Sequence, residues 1–277
     1  MSFLRILNVN INNVAISGVR IDFDVKKSNQ KKTKEPNTAE IKIYNLAPWT
    51  RKKISELNKF VTLNAGHIDN IPAAIFTGIV RDYREENNNT EIISVVEVED
   101  RGGQGSDDLY KLKRSISFPP LTSATSIIGS IAGFAGVPFV STPIRDYFYI
   151  SGFSYVGLLS KALDKVVYDA LKMDWFIEDG KLFVEDKDFP NINLLMPISA
   201  RSGLIGSPEK FTEEEDGKEI EKYKFLTLLN PRYYVGQSVS VISEKEPMTG
   251  LYKIESIRLY GSNYSSDFYN EYIVRAL

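Results

Sequence analysis

The chain has 277 residues, 43% hydrophobic and 25% charged, with a formal net charge of −2 and no cysteine. That length can bury a core without covalent staples. The near-neutral charge excludes a broad basic surface for non-specific DNA binding, and the absence of cysteine excludes disulfides, thiolate nucleophiles and cysteine metal sites.

The N-terminal MSFLRILNVNINNVAIS alternates apolar and polar residues and lacks a long apolar run, so it reads as a strand and not as a secretory signal. VRIDFDVKK places Val19, Ile21, Phe23 and Val25 on one face at period two, and EIKIYN does the same through Ile41 and Ile43. The polar segment between them makes the pair a long hairpin. Pro48 suits the first position of a short helix, PWTRKKISEL, with Ile54 and Leu57 on its apolar face. Strands follow at FVTLNAG, AAIFTGIVRDY and TEIISVVEVE, with Asn87 to Asn89 as the tight connection between the last two. The first hundred residues therefore predict five or six antiparallel strands, closed as a small barrel or sandwich.

The period then changes. DRGGQGSDD (100–108) carries a GGxG, but no strand–helix unit surrounds it and no GK[ST] follows, so it reads as a linker. TSATSIIGSIAGFAG has Ile127, Ile128, Ile131 and Phe134 at helical spacing behind hydroxyl residues that can cap. SYVGLLSKALDKVVYDALK predicts a second amphipathic helix with Val156, Leu159, Leu163, Val166 and Ala170 on one stripe. Asp179-Gly180 between two alternating arms predicts a two-residue hairpin. Strands return at KFLTLLNP, GQSVSVIS, GLYKIESIRLYG and FYNEYIVRAL, and the acidic run EKFTEEEDGKEIEK reads as a solvated hairpin tip. The most apolar stretch, 126–140, is too short and too interrupted to span a bilayer, so no membrane anchor is expected.

Residues able to carry chemistry are sparse. His67, the single histidine, lies in NAGHIDNIP and is expected in an exposed loop, away from any triad. Glu97, Glu99 and Asp100 could supply the paired carboxylates of a glycan hydrolase, but alternating strand glutamates usually face solvent. Lys26, Lys27, Lys31, Lys32 and Lys34 form a basic loop without the aromatics of a base-stacking platform. No catalytic, cofactor-binding or metal site is expected, and no cofactor.

The two β sections repeat each other. Val61, Val80 and Val96 match Val239, Ile257 and Ile273 in order and near-equal spacing, Tyr83 matches Tyr260, and an asparagine-proline corner precedes each set. A duplicated β domain flanking an unlike module predicts three domains: 1–108 and 191–277, both β, around a small α+β module at 109–190. Three such subunits in a ring would present six similar units.

With AEIKIYNLAPWTRKKI, VTLNAGH and AAIFTGIVRDY in the first part, SATSIIGSIAGFAGV and MDWFIEDGKLFV in the middle, and FLTLLNPRYYVGQSVSVIS and GLYKIESIRLYG at the end, the chain resembles the baseplate hub proteins of phage tails and related contractile injection systems, of which the late-control protein D group is the nearest. The resemblance implies a mainly β fold with two tube-like antiparallel β-barrel domains, and a non-enzymatic virion structural protein of the tail baseplate, assembled in the host cytoplasm. It also implies a homotrimer that adapts the sixfold tail tube to the threefold central spike, with wedge and tape-measure proteins as further neighbours and DNA only as passing cargo. The alternative is a tail-associated peptidoglycan hydrolase. Trp49 is expected to pack, with Arg51, Lys52 and Lys53 facing solvent or a neighbouring subunit.

Overall fold

The computed structural model describes residues 4–29, 36–67, 72–88, 90–100, 109–141, 147–186, 189, 195–215, 217–243 and 248–277. The GGxG segment and Lys31, Lys32 and Lys34 lie outside these described residues. The first section comprises β1 (Arg5–Ile11), β2 (Val14–Ile16), β3 (Ile21–Ser28), β4 (Asn37–Tyr44), α1 (Pro48–Ile54), β5 (Phe60–His67), β6 (Ala73–Asn88) and β7 (Glu91–Asp100). The middle comprises β8 (Lys113–Phe118), β9 (Thr122–Ser123), α2 (Ala124–Phe134), β10 (Phe139–Ser141), β11 (Phe148–Tyr149), β12 (Phe153–Leu158), α3 (Leu159–Asp164), β13 (Asp174–Glu178) and β14 (Lys181–Glu185). Last come β15 (Met196–Ile198), β16 (Leu204–Glu215), β17 (Lys218–Leu228), β18 (Ser238–Ile242), β19 (Thr249–Ser262) and β20 (Phe268–Ala276). The fold is mainly β, and it divides into one unit holding β1–β7 with β15–β20 and a second holding β8–β14.

In the first unit, all thirteen described strands belong to one sheet, ordered β16-β17-β20-β19-β3-β4-β7-β6-β5-β1-β2, with β18 on β19 and β15 on β18. Period-two alternation puts Ile21, Phe23, Val25, Ala39, Ile41 and Ile43 in the core and leaves Asp22, Asp24, Glu40 and Lys42 on the opposite face. The two β sections, expected to close separately, are continuous at β3 and β19.

Pairing registers reveal the repeat more sharply than spacing does. In β6, Val80 pairs with Val98 and Asp82 with Glu97, leaving Arg81 as a bulge. In β19, Ile254 pairs with Val274 and Ser256 with Ile273, leaving Glu255 in the same place. One strand over, Val61 pairs with Gly78 and Val239 with Tyr252, so Val61 does match Val239. Val80, however, corresponds to Ile254 and not Ile257, Val96 to Tyr272 and not Ile273, and Tyr83 to Ile257 and not Tyr260. Connections of unequal length on either side of the middle strand let equal sequence intervals mislead. The corner is shared at the backbone: Asn45 N–H donates to Ile92 O (2.8 Å) and Leu229 N–H to the corresponding Phe268 O (3.0 Å). The first copy is thus β3-β4-β7-β6-β5 and the second β16-β17-β20-β19-β18. Residues 229–237 of the second copy form turns where the first has α1.

Four local expectations change in this unit. His67 ends β5, paired with Arg5, and its half-buried ring meets Phe268 edge-on at 5.3 Å. Trp49 is 63% exposed, with Lys53 over its ring, because α1 turns Thr50 and Ile54 inward instead. Leu57 lies beyond the helix end and is exposed, and Arg51 is drawn down onto Glu85 at 2.8 Å.

The second unit packs α2, α3 and strands around Ile127, Ile128, Ile131, Leu159, Leu163, Val166 and Trp175. Ser123 Oγ caps α2 by accepting the Ser126 N–H at 3.2 Å, while Phe134, expected on the buried stripe, is exposed. The second helix starts later than predicted. Ser154–Leu158 belongs to β12, paired with β8, and Val156 is 79% exposed. Gly157, at φ +143°, cannot continue a helix. After α3 the chain widens into a π-helical turn, Lys165–Leu171, closed by Lys172 in the left-handed region. The Asp179-Gly180 hairpin is present, both residues at positive φ, and the Gly180 N–H is held by buried Asp100 at 3.1 Å.

Gly78, the glycine of the Phe-x-Gly strand, faces the Glu99 carbonyl so closely that a Cβ would lie 2.6 Å from its oxygen. Gly78→Ala is expected to cost about 1–3 kcal/mol through forced strand separation. Gly133→Ala, in open space within α2, should instead add about 0.5–1 kcal/mol. Thermal unfolding of the two variants should shift in opposite directions.

Candidate functional site: an edge-to-edge sheet junction

The Glu255 bulge divides β19 into two working halves. Residues 249–253 pair with β18, and 256–262 pair with β3, from Ser256 opposite Ser28 to Ser262 opposite Asp22. Glu255 anchors the division point. Its carbonyl accepts the Asn29 N–H at 3.0 Å, and its carboxylate lies 2.7 Å from Lys222, which is fully buried and also 2.8 Å from Glu213. A buried ammonium is tolerable only with such counter-charges.

Side chains lock the junction along its length. Leu259 and Val25, directly opposed, are buried. On the polar face Arg258 forks onto both Asp24 oxygens (3.0 and 2.7 Å) and lies over the Tyr260 ring. Asn263 accepts the Ile21 N–H at 2.9 Å and donates to Val19 O at 2.7 Å. Arg5 donates to the carbonyls of Ser262 (2.9 Å), Ser265 and Ser266 (2.6 Å), tying β1 to the turn that follows β19.

Asp22 sits in this junction beneath Tyr44 (2.8 Å) and Arg20 (3.1 Å). Burial pushes its carboxyl up, but hydrogen bonds from Ser262, Arg20 and Tyr44 outweigh burial and hold its pKa below the ordinary value. Burial, reinforced by the bond to Asp22, pushes the Tyr44 phenol up to about 12.

The polar face continues through both copies as a mixed-charge surface. Arg84 gathers Glu97, Glu86 (3.1 Å) and Glu40 (3.0 Å), which strengthen its hold on the proton. Lys224 meets Glu271 at 3.1 Å. Two shallow open depressions on this face are lined mainly by charged and polar residues, among them Asp24, Lys26, Glu40, Glu97, Glu99, Lys42 and Arg258. They lack the apolar walls of a small-molecule pocket. No cluster of three metal-ligating side chains occurs among the described residues.

The carboxylates considered for hydrolysis have other contacts. Glu97 holds Arg84 and Glu99 lies 3.8 Å from Arg81, both on the polar face as expected of strand glutamates, whereas Asp100 is buried beneath Gly180. Of the described basic-loop residues, Lys26 is exposed and Lys27 is buried. The residues that build the junction, Arg5, Asp22, Asp24, Arg258 and Asn263, carry no motif; the one sequence signal is the length of β19, far beyond what β18 can cover.

No known protein-family model matches the sequence, and no curated protein sequence does either. Solved structures do match in fold. The 43 kDa tail protein of prophage MuSo2 from Shewanella oneidensis superimposes with TM-score 0.69 at 9% identity, covering 98% of this chain and 96% of that one. A tail protein from Neisseria meningitidis MC58 gives 0.67 at 9% identity, with the same coverages. The Escherichia coli c3393 protein, described as a type VI secretion component structurally similar to the T4 phage tail proteins gp27 and gp5, gives 0.66 at 11% identity over 97% of this chain and 76% of that one. The chain has a phage tail protein fold. No helix among the described residues is long and apolar enough to cross a membrane.

Three substitutions test the junction. Asn263→Ala removes partners from Ile21 and Val19 and should cost about 1–3 kcal/mol. Arg258→Ala, at a 45% exposed side chain, should cost no more than about 1 kcal/mol. Equilibrium denaturation ranks the two. Because the folded pKa of Asp22 lies below its unfolded value, its stabilisation is complete above the ordinary 3.8 and is lost as pH falls from there through the depressed folded value. Asp22→Asn should therefore flatten the acid limb of the stability–pH curve.

Proposed function

We propose that the chain is the structural baseplate hub of a phage tail or a related contractile injection system. In this reading it is a homotrimer in the tail baseplate, assembled in the host cytoplasm, whose two tube-like β domains (1–108 and 191–277) per copy, joined in one sheet, make a pseudo-sixfold ring. That ring docks onto the sixfold tube, and its threefold symmetry seats the central spike. Wedge and tape-measure proteins are further neighbours. The observation that carries the proposal is the pair of register-matched strand sets, bulge for bulge, already joined edge to edge within one chain. A single polypeptide so built supplies two similar units to a ring, as a threefold-to-sixfold adaptor requires.

The mixed-charge face fits the lining of a channel through which DNA passes as cargo, since balanced acids and bases do not grip a polyanion as a basic groove does. Commitment of Glu97, Glu99 and Asp100 to Arg84, Arg81 and the Gly180 backbone supports a non-enzymatic role.

Light scattering of the purified protein, alone and with the tube and spike proteins encoded beside it, is expected to give three times the chain mass and co-elution with both partners. A strict monomer that binds neither overturns the proposal. Clearing of cell-wall material in a zymogram would put a hydrolase in its place.

A further inference from the structure

The repeat makes an unpaired edge conspicuous. In β19 the residues beyond the bulge, 256–262, pair with β3 of the other copy. Their counterparts in β6, residues 82–88, pair with β7 on one side, and β5 stops pairing at Ile79. Among the described residues no strand covers the other side. The counterpart of β3 is β16, which pairs with β17 and ends the sheet. One chain therefore carries both halves of a second junction, on opposite sheet margins.

Resting on the hub reading, we propose that β6 of one copy pairs antiparallel with β16 of the next copy, in the register that β19 and β3 use internally. The register follows from the repeat. Lys26 pairs with Thr38 as Phe211 pairs with Lys222, and Asp24 with Glu40 as Glu209 with Lys224. Asp24 thus corresponds to Glu209, and Arg258 to Arg84. Transferring the β19–β3 pairs sets Asp82 opposite Glu213, Tyr83 opposite Thr212, Arg84 opposite Phe211, Glu85 opposite Lys210 and Glu86 opposite Glu209.

The side chains fit that register. Internally Arg258 grips Asp24 on the diagonal; the same diagonal sets Arg84 of one copy at Glu209 of the next. Glu85, held by Arg51 in its own copy, and Lys210, held by Glu221, stand directly opposite as an opposite-charge pair that joins these two ion pairs. Of the two like-charge positions, Glu213 is neutralised by Lys222 and Glu86 by Arg84 within each copy, and on this register Arg84 would also reach Glu209. Exposed charges along both margins protect the free edges before assembly. This is a heterologous contact, which generates a ring when its rotation closes.

Because the chain lacks cysteine, the register can be tested directly. Glu85→Cys and Lys210→Cys single variants are mixed, reassembled and treated with an oxidant or a short bis-maleimide. Cross-linked dimer is expected from the mixture and not from either variant alone. Charge reversal supplies a second measurement: Arg84→Glu or Glu209→Arg alone should weaken self-association at least tenfold, and the double variant should recover it. A trimer by light scattering that neither cross-links nor responds to charge reversal overturns this register and leaves the hub reading standing. A chain that stays monomeric, with tube and spike proteins present, overturns both.

Discussion

A strand with polar backbone groups facing nothing is a liability, and β3 would be such a strand if its copy of the repeat stood alone. Its outward margin, residues 22–28, is covered by the far half of β19. The polar locks of the first unit gather around that pairing. Arg258, Asn263 and Arg5 act on it from three sides, and Asp22 is held by Tyr44 of β4, Ser262 of β19 and Arg20, just ahead of β3. Slipping the pairing by one residue would expose Val25 and Leu259 and bury Asp24 and Arg258, so the alternation of the two strands fixes the register as firmly as the hydrogen bonds do.

The bulge is what lets one strand serve two neighbours. At Glu255 the ladder to β18 ends and the ladder to β3 begins, with the extra residue absorbing the change of direction. Burying Lys222 against Glu213 and Glu255 costs desolvation that an apolar trio would avoid. What the charged trio supplies is fixed position: the bulge cannot migrate along β19 without stranding a buried ammonium. The first copy has Arg81, exposed, at the same place. Its guanidinium lies 3.8 Å from Glu99, in a partly exposed pair instead of a buried one.

What was legible in the sequence is what short-range patterning decides. The alternation of β3 and β4, the cap and apolar stripe of α2 and the Asp179-Gly180 turn all depend on residues within one element or hairpin. The late start of α3 was hidden because Ser154–Leu158 takes its conformation from pairing with β8, distant in sequence, and Gly157 enforces it. Trp49 is exposed because so short a helix offers few faces, and Thr50 and Ile54 already fill the inward one. The repeat was visible as order and spacing, but its register was not, since unequal loops shift sequence intervals without altering the ladder. The junction was least legible. Asp24 and Arg258 are 234 positions apart, and nothing near either one names the other.

On the proposed assembly the two junctions would face different demands. The internal one is made once, as the chain folds, so it can afford a buried apolar pair at Leu259 and Val25. On the proposed assembly, the outer edges must first survive as free surfaces in a crowded solution, and there the same two positions hold Glu85 and Lys210, both exposed. An apolar pair at that place would invite open-ended polymerisation, because a heterologous contact that does not close propagates as a fibre. Opposite charges at Glu85/Lys210 and Arg84/Glu209 draw the two margins together without an apolar seal, the register itself coming from the repeat, and that attraction weakens with salt. A chain that is to form a closed ring and no other polymer needs its internal seam permanent and its external seam conditional, and the charge pattern of these edges has that asymmetry.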